Sequence, residues 1–408
     1  MIDIPRRLLK VFWLIGTVVW GLVWGLAPAN ASQSSAATIK SQEHGNAEQS
    51  AESMLFWTEE QKITGFSAID QFFPTRPIAG NAKARVLPEK FADLEGFSYQ
   101  FEGRSWDLQS HMEAQQTAGI LVIQDGQIVL ERYGLDHSID APWVSFSVTK
   151  SLVSLLYGAA LRDGFITSSD ALITDYLPEF HGTSYAGVSI KNILQMASGV
   201  AWNEDYADPT SDIANLPIEQ SAGFAYMGAL PRVAAPGERF NYNTGETNIA
   251  GAVLRKAIGG NLSEYASTKL FLPAGLTNSA HWMLDSANGN EFAGCCISAT
   301  LRDYGRLGLF VMEHSASAPK DSPMAPGWLQ EAIQPSTASA GYGYFWWLLD
   351  DGVFAAEGIF GQIILVDPKR NLVIALQSAW PEAWSDQSEA QTFALFQALT
   401  AFLTEPPG

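Results

Sequence analysis

Two β-hairpin patterns lie at opposite ends of this 408-residue chain, and they constrain its fold more than any other feature. In the first, between Ala118 and Tyr133, two aliphatic runs flank the turn pair Asp125-Gly126. In the second, aliphatic runs at 363–366 and 372–376 flank a polar turn. Strands near both ends of the chain predict one sheet that is built from the two terminal segments.

The segment between the hairpins is predicted to be mostly helical. Helical spacing of apolar residues predicts helices at 148–161, 192–196, 246–258, 262–270, 300–312 and, after the second hairpin, 386–403. The fold class is therefore α/β (α+β). An antiparallel sheet from the N- and C-terminal segments is flanked by helices, and a mostly helical region at about 165–340 is inserted into it.

The N-terminus has the order of an export signal. Three basic residues precede an apolar run that ends in Ala29-Asn30-Ala31, which predicts a signal peptide over 1–31 with cleavage after Ala31. The alternative is an uncleaved membrane anchor, because the apolar run is long enough to span a bilayer. The polar residues 32–55 are predicted to form a flexible tether. Residues 56–408 are predicted to form the functional domain. We expect an exported protein, periplasmic or secreted, whose membrane contact is limited to such an anchor.

Composition excludes several classes of function. The net charge of -19 repels phosphate backbones, so nucleic-acid binding is not expected. The two cysteines are adjacent, at Cys295 and Cys296, which excludes a disulfide framework and a four-cysteine zinc site. The six histidines show no ligand spacing, and the chain lacks a Walker A loop and a convincing dinucleotide fingerprint. No metal and no cofactor are predicted.

The strongest chemical motif is Ser147-Val148-Thr149-Lys150, at the start of the predicted helix 148–161. Residues i and i+3 share a helix face, so the hydroxyl and the amine are expected side by side. Burial and the positive helix end could lower the pKa of Lys150 from about 10.4 toward the value near 7 that a base needs. The alternative is that Ser147 only caps the helix. The same pattern at Ser317–Lys320 falls in a Pro-rich loop and is given no role.

Two further segments carry candidate site residues. In 236–244, Tyr242 precedes a helical stretch, and a phenol beside a lysine amine can move a proton; a packed turn tyrosine is the alternative. In 356–362, glycines within a strand pattern indicate close backbone approach. The N–H groups of Ser147 and Ile359 would then form an oxyanion hole, although an ordinary β-bulge has the same pattern.

The order and spacing of these motifs resemble the serine β-lactamase and penicillin-binding superfamily, in its class C-like branch, and within it the 6-aminohexanoate-dimer hydrolases. The likeness extends from about Phe56 to the C-terminus. It implies a β-lactamase/transpeptidase-like fold. It also implies that Ser147 is an acylated nucleophile, that Lys150 and Tyr242 are its acid/base pair, and that the Ile359 N–H completes the oxyanion hole.

The resemblance further implies substrate contacts. Tyr206 corresponds to a lid residue, and Gly358 to the strand edge beside the substrate. The pair Trp346-Trp347 corresponds to a pocket wall, with Trp346 as the candidate contact. A loop aromatic packed on the body is the alternative for Tyr206, and a core position is the alternative for Trp346.

Two departures from the superfamily pattern narrow the function. Penicillin-recognising relatives carry Lys-Thr-Gly where this chain has Ala356-Glu357-Gly358, and many have Asn where it has Thr244. Both changes favour a small amide or ester substrate without a required carboxylate. The alternatives are a D,D-peptidase or β-lactamase and, from another class, a non-catalytic binding module. A small-molecule substrate is the expected partner, and the sequence leaves the oligomeric state open.

Overall fold

The computed structural model describes residues 54–81, 83–276, 280–316 and 319–404. The predicted signal or anchor at 1–31, all but the last two residues of the tether, and Ser317 of the second Ser-x-x-Lys pattern lie outside these ranges. The first described element is a short 3-10 turn at Met54–Phe56. Within the described ranges, no helix is long and apolar enough to cross a membrane.

Twelve strands are described. They are β1 (Thr75–Ile78), β2 (Tyr99–Phe101), β3 (Arg104–Trp106), β4 (Thr117–Gln124), β5 (Gln127–Tyr133), β6 (Trp143–Val144), β7 (Ala280–Met283), β8 (Ile297–Ala299), β9 (Trp347–Leu348), β10 (Phe354–Gly358), β11 (Gln362–Asp367) and β12 (Leu372–Ser378).

The α-helices of the described ranges are distributed along the whole chain. They are α1 (Glu59–Gly65), α2 (Ile69–Phe72), α3 (Leu108–Ala114), α4 (Val148–Asp163), α5 (Ile190–Leu194), α6 (Asp212–Asn215), α7 (Gln220–Ala229), α8 (Thr244–Ile258), α9 (Leu262–Ala266), α10 (Leu272–Ala274), α11 (Leu301–Ala316), α12 (Trp328–Ala332) and α13 (Asp386–Thr404).

The two predicted hairpins belong to one six-stranded sheet. Its order is β5-β4-β12-β11-β10-β9, and every neighbouring pair is antiparallel. β12, from the C-terminal hairpin, pairs with β4, from the N-terminal hairpin. The predicted fold class, a sheet made from both terminal segments and flanked by helices, is confirmed.

Side chains alternate across this sheet, so each face carries its own helical layer. In β4, Leu121 and Ile123 belong to the core that includes α4 and α11. Ile120 and Val122 belong to a second core, which α13 covers with apolar residues at helical spacing. The helices α4 and α11 pack on the first face, and α8 packs on α4, so the junction between the sheet and the helical region lies there.

The interval 165–340, which the sequence predicts to be mostly helical, also contains short strands. It contains β7 and β8, which pair with β1 and β6 in a separate four-stranded sheet. These strands are only two to four residues long, so their alternation is too short to be recognised in the sequence. Cys295 and Cys296, which are bonded to each other across a cis peptide bond, precede β8.

Candidate active site

Ser147 lies at the turn between β6 and α4. It occupies the N-cap position of α4, but its side chain makes no capping hydrogen bond. Its Oγ instead accepts a hydrogen bond of 2.7 Å from Lys150 Nζ, as the i, i+3 spacing predicts. The structure therefore does not support the alternative in which Ser147 acts as a plain helix cap.

Lys150 is held in place by two acceptors. Its Nζ donates to Ser147 Oγ and, over 2.8 Å, to the backbone oxygen of Gly294. The residue is 1% exposed, and burial lowers the pKa of Lys150 to about 8, although the nearby Glu204 carboxylate acts in the opposite direction. About a tenth of the amine is therefore uncharged at pH 7, far more than for an ordinary lysine, and this is the state that can accept a proton.

Tyr242 lies two residues before α8, and its ring is 5.2 Å from Lys150 Nζ. The Trp347 ring stacks on it, with centroids 5.6 Å apart. Burial raises the pKa of Tyr242 well above its usual range, Glu204 raises it further, and a hydrogen bond with Ser147 acts against both. The phenol therefore stays protonated near neutral pH and can give up a proton only as another is supplied.

The end of β10 lies directly against the Ser147 turn. A Cβ atom at Gly358 would come within 2.5 Å of the Ser145 oxygen and 3.0 Å of the Ser147 nitrogen, so glycine is required for this approach. Among the described residues, we find no acceptor for the N–H of Ser147 or of Ile359. Both N–H groups therefore lack an acceptor where the end of β10 approaches the Ser147 turn, which makes them candidates for an oxyanion hole.

The two faces of β10 differ in chemistry. Ala356 shares the face of Gly358 and packs in the core that contains α4. Glu357 is directed to the opposite face, toward α13, where burial first and then Glu389 raise its pKa well above its usual range. The face toward Ser147 therefore presents a methyl group where the Lys-Thr-Gly relatives have an amine.

Hydrogen bonds to Glu204 connect Tyr206 to the start of α8, which follows Tyr242 in the chain. The Tyr206 hydroxyl donates a hydrogen bond of 2.6 Å to Glu204 Oε1, and the Thr244 N–H donates one of 2.9 Å to Glu204 Oε2. The Thr244 hydroxyl and the Trp202 indole N–H donate to the same carboxylate. Glu204 therefore fixes the 202–206 loop to the start of α8, close to Lys150.

The structure brings Ser147, Lys150, Tyr242, Gly358 and Ile359 together, with Tyr206 linked to them. Trp346 is not among them. Its ring packs against Phe354 in the core, whereas its neighbour Trp347 lies against Tyr242. Adjacent residues of an extended segment face opposite ways, so only one of the two tryptophans can reach the site.

Two functional positions were missed by the sequence analysis. The Gly294 backbone oxygen, which accepts from Lys150, has no side chain to signal its role. Its own N–H donates to Asn248 Oδ1 on α8, which holds it in place. Glu204 was not singled out, and the signal available in the sequence was an acidic residue between Trp202 and Tyr206.

An antiparallel sheet with helices on both faces, and a buried Ser-x-x-Lys pair at the start of its first long helix, define the β-lactamase and penicillin-binding class of folds. The family model described as Beta-lactamase matches residues 107–398. The chain belongs to the Beta-lactamase family and is a hydrolase.

Known proteins agree with this assignment. The 6-aminohexanoate-dimer hydrolase of Paenarthrobacter ureafaciens is 26% identical over 303 residues, which cover 68% of this chain and 76% of the relative. A Bacillus anthracis structure, provisionally described as a 6-aminohexanoate-dimer hydrolase, matches with a TM-score of 0.75 and 19% identity over 85% of this chain and 95% of its own. A penicillin-binding protein from Bacillus halodurans matches with a TM-score of 0.55 and 17% identity over 71% and 99%. These structures show the shared fold.

Proposed function

We propose that this protein is an exported serine hydrolase that cleaves a small amide or ester through an acyl-enzyme on Ser147. The observation that carries the proposal is the 2.7 Å hydrogen bond from the buried Lys150 amine to Ser147 Oγ. A serine hydroxyl is a weak nucleophile unless an adjacent base takes its proton, and a lysine with a pKa of about 8 suits that task.

In the first step, neutral Lys150 takes the hydroxyl proton while Ser147 Oγ bonds to the substrate carbonyl carbon. The carbonyl oxygen becomes an oxyanion that the N–H groups of Ser147 and Ile359 stabilise. The C=O bond then re-forms and the bond to the leaving amine or alcohol breaks. Tyr242 gives that group a proton and recovers one from Lys150. Water repeats the sequence on the acyl-enzyme, releases the acid and restores Ser147.

Three observations support a small amide or ester substrate, and the first of them also argues against a required carboxylate. Ala356 offers no cation on the face toward Ser147. The 202–206 loop, fixed by Glu204, lies close over the site. The Paenarthrobacter relative is named for hydrolysis of a 6-aminohexanoate dimer, which is an amide. We therefore propose Tyr206, Gly358 and the aromatic pair at 346–347, through Trp347, as substrate contacts.

Covalent labelling tests the proposed nucleophile. A serine-directed phosphonate is expected to add one adduct mass to the purified protein, on the peptide that contains Ser147, and to abolish hydrolysis of a short p-nitrophenyl ester. Penicillin is expected to add none, because the site lacks the amine at position 356. Stoichiometric penicilloylation of Ser147 would instead support the D,D-peptidase or β-lactamase alternative. Inertness toward esters, amides and phosphonates alike would support a binding module.

Substitution of Glu204 by Gln is expected to move the pH dependence of kcat/KM to lower pH. The Glu204 charge raises the pKa of Lys150, so its removal lowers that pKa below about 8. Because the neutral amine is the active form, the rise of kcat/KM with pH then occurs earlier. The amide can keep the contacts, since its NH₂ can donate to the hydroxyls of Tyr206 and Thr244.

The matched control is Asp205→Asn, which removes a neighbouring charge that faces solvent. Within the part of the chain that the structure describes, its carboxylate accepts a hydrogen bond from the Ala207 N–H alone. Its pH profile is expected to overlay the wild-type profile. A Glu204→Gln profile that keeps its midpoint, with unchanged folding, would contradict the electrostatic role of Glu204.

Export is the second part of the proposal, and it depends on the charge and apolar pattern of 1–31. Intact mass of the protein from the periplasmic or culture fraction is expected to correspond to a chain that begins at Ser32. Full-length protein in the membrane fraction would indicate the uncleaved anchor. Full-length protein in the cytoplasm would contradict export.

A further inference from the structure

Two residues with left-handed backbone flank the pair of N–H groups that we assign to the oxyanion hole. Phe146, with a φ of 44°, immediately precedes Ser147, and Phe360, with a φ of 60°, immediately follows Ile359. Residues with a side chain rarely adopt this conformation, and it persists only where the surrounding structure holds it. Something must therefore hold both phenylalanines for the two N–H groups to keep their directions.

A third phenylalanine, Phe66, contacts both. Its ring centroid lies 5.0 Å from that of Phe146 and 5.3 Å from that of Phe360, and the last two are 5.3 Å apart. All three rings are buried. We call Phe66, Phe146 and Phe360 the phenylalanine triad. Because interior side chains are closely packed, a change in one ring of the triad is transmitted to the backbone of the other two.

Phe66 is the C-cap residue of α1, near the start of the described residues, and α1 with this cap is bonded to both segments. The Phe66 oxygen accepts a hydrogen bond of 2.9 Å from the N–H of Val144, in β6 before the Ser147 turn. Lys62 Nζ, which is also buried, donates to the oxygens of Trp380 and Pro381 over 2.6 and 2.8 Å. The Trp380 N–H in turn donates to the Phe360 oxygen.

We propose that Phe66 is a positioning residue for the oxyanion hole. Through the triad it fixes the left-handed residues next to Ser147 and Ile359, and Lys62 supports it by holding the segment that carries Phe360. Helix α1 and its cap would then position the oxyanion hole, although they contact neither the nucleophile nor the base. This inference rests on the proposed acyl-transfer function.

The test compares oxygen and sulfur substrates on the full chain with Phe66→Leu. An oxyanion hole favours a carbonyl oxygen over the larger, more weakly accepting sulfur of a thiono ester, so the ratio of the two kcat/KM values reports its geometry. For Phe66→Leu we expect kcat on the oxygen ester to fall by about ten- to a hundredfold, KM to change little, and the oxygen-to-sulfur ratio to fall.

The matched control is Phe73→Leu. Phe73 is a buried phenylalanine of the same core cluster; its ring stacks on Trp57, which in turn stacks on Phe66, so Phe73 lies one ring further from Phe146 and Phe360. We expect this variant to lose stability in thermal unfolding while kcat and the oxygen-to-sulfur ratio stay at wild-type values. If Phe73→Leu lowered the ratio as much as Phe66→Leu, general loosening of the core would explain the effect and the proposal would be wrong.

A second variant covers the case in which Phe66→Leu does not fold. Lys62→Met removes the ammonium group that holds Trp380 and Pro381, and a lower oxygen-to-sulfur ratio is expected there as well. A wild-type ratio in whichever of the two variants folds overturns the proposal. Full activity of Ser147→Ala would be a different failure, because it would remove the proposed nucleophile and leave the triad without a reaction to serve.

Discussion

Replacement of Ser147 by Ala is expected to lower kcat on a short p-nitrophenyl ester by roughly 10⁴–10⁶-fold, as removal of a nucleophile does in other serine hydrolases. The reason is geometric as well as chemical. Ser147 Oγ accepts the hydrogen bond of the Lys150 amine and, in the proposed reaction, is the atom that bonds to the carbonyl carbon. Alanine removes this atom, whereas fold-stabilising contacts are barely changed because the Ser147 side chain makes no helix cap.

Ser154→Ala is the control on the same helix. Its Oγ is buried without a partner among the described residues, so its loss should leave activity within about twofold and the thermal midpoint close to the wild-type value. Both variants are compared at equal folded concentration, checked by circular dichroism. Substantial turnover by a folded Ser147→Ala protein would show that another nucleophile does the chemistry.

The parts of the site that lie within one element could be predicted from the sequence. The Ser147 and Lys150 side chains meet because residues three apart share a helix face. The sheet could be predicted because β4, β5, β11 and β12 are long enough to show their turns and aliphatic runs. The candidate roles of Tyr242 and Ile359 are those that the resemblance to the superfamily implies, because the residues alone left a packed turn tyrosine and an ordinary β-bulge as alternatives.

The parts that depend on contacts between distant segments could not be predicted. The acceptor at Gly294 is a backbone oxygen 144 residues away from Lys150. Glu204 acquires its role only because the 202–206 loop folds onto Thr244. The choice between Trp346 and Trp347 depends on which way an extended segment is turned, and both residues suit either position. Phe66 lies 80 residues before Phe146, and nothing in its surroundings marks it as part of a site.

The second large effect is expected for Lys150→Met, which should lower kcat/KM by roughly 10²–10⁴-fold, the usual contribution of a general base. Methionine fills a similar volume but cannot accept the Ser147 proton. Wild-type kcat/KM should rise with pH, with an inflection near pH 8 where the amine loses its proton. The residual activity of Lys150→Met should lack this rise. The control is Lys191→Met, which alters only a solvent-exposed lysine whose contact with Glu331 spans 3.8 Å.

Lys150→Met is also expected to change how protein stability depends on pH. This effect distinguishes a titrating base from an amine whose role is structural alone. The folded pKa of Lys150 is about 8, below its ordinary value of 10.5, so between these values the unfolded chain binds more protons than the folded one. Wild-type stability should therefore rise with pH across that window, and Lys150→Met should lack this rise. Suppose that the thermal midpoints of the two proteins changed in parallel from pH 8 to 10.5, and that the variant kept the inflection of kcat/KM near pH 8. A group other than Lys150 would then be the base. If Lys150→Met lost both the rise of stability with pH and the inflection of kcat/KM near pH 8, titration of the Lys150 amine would account for both.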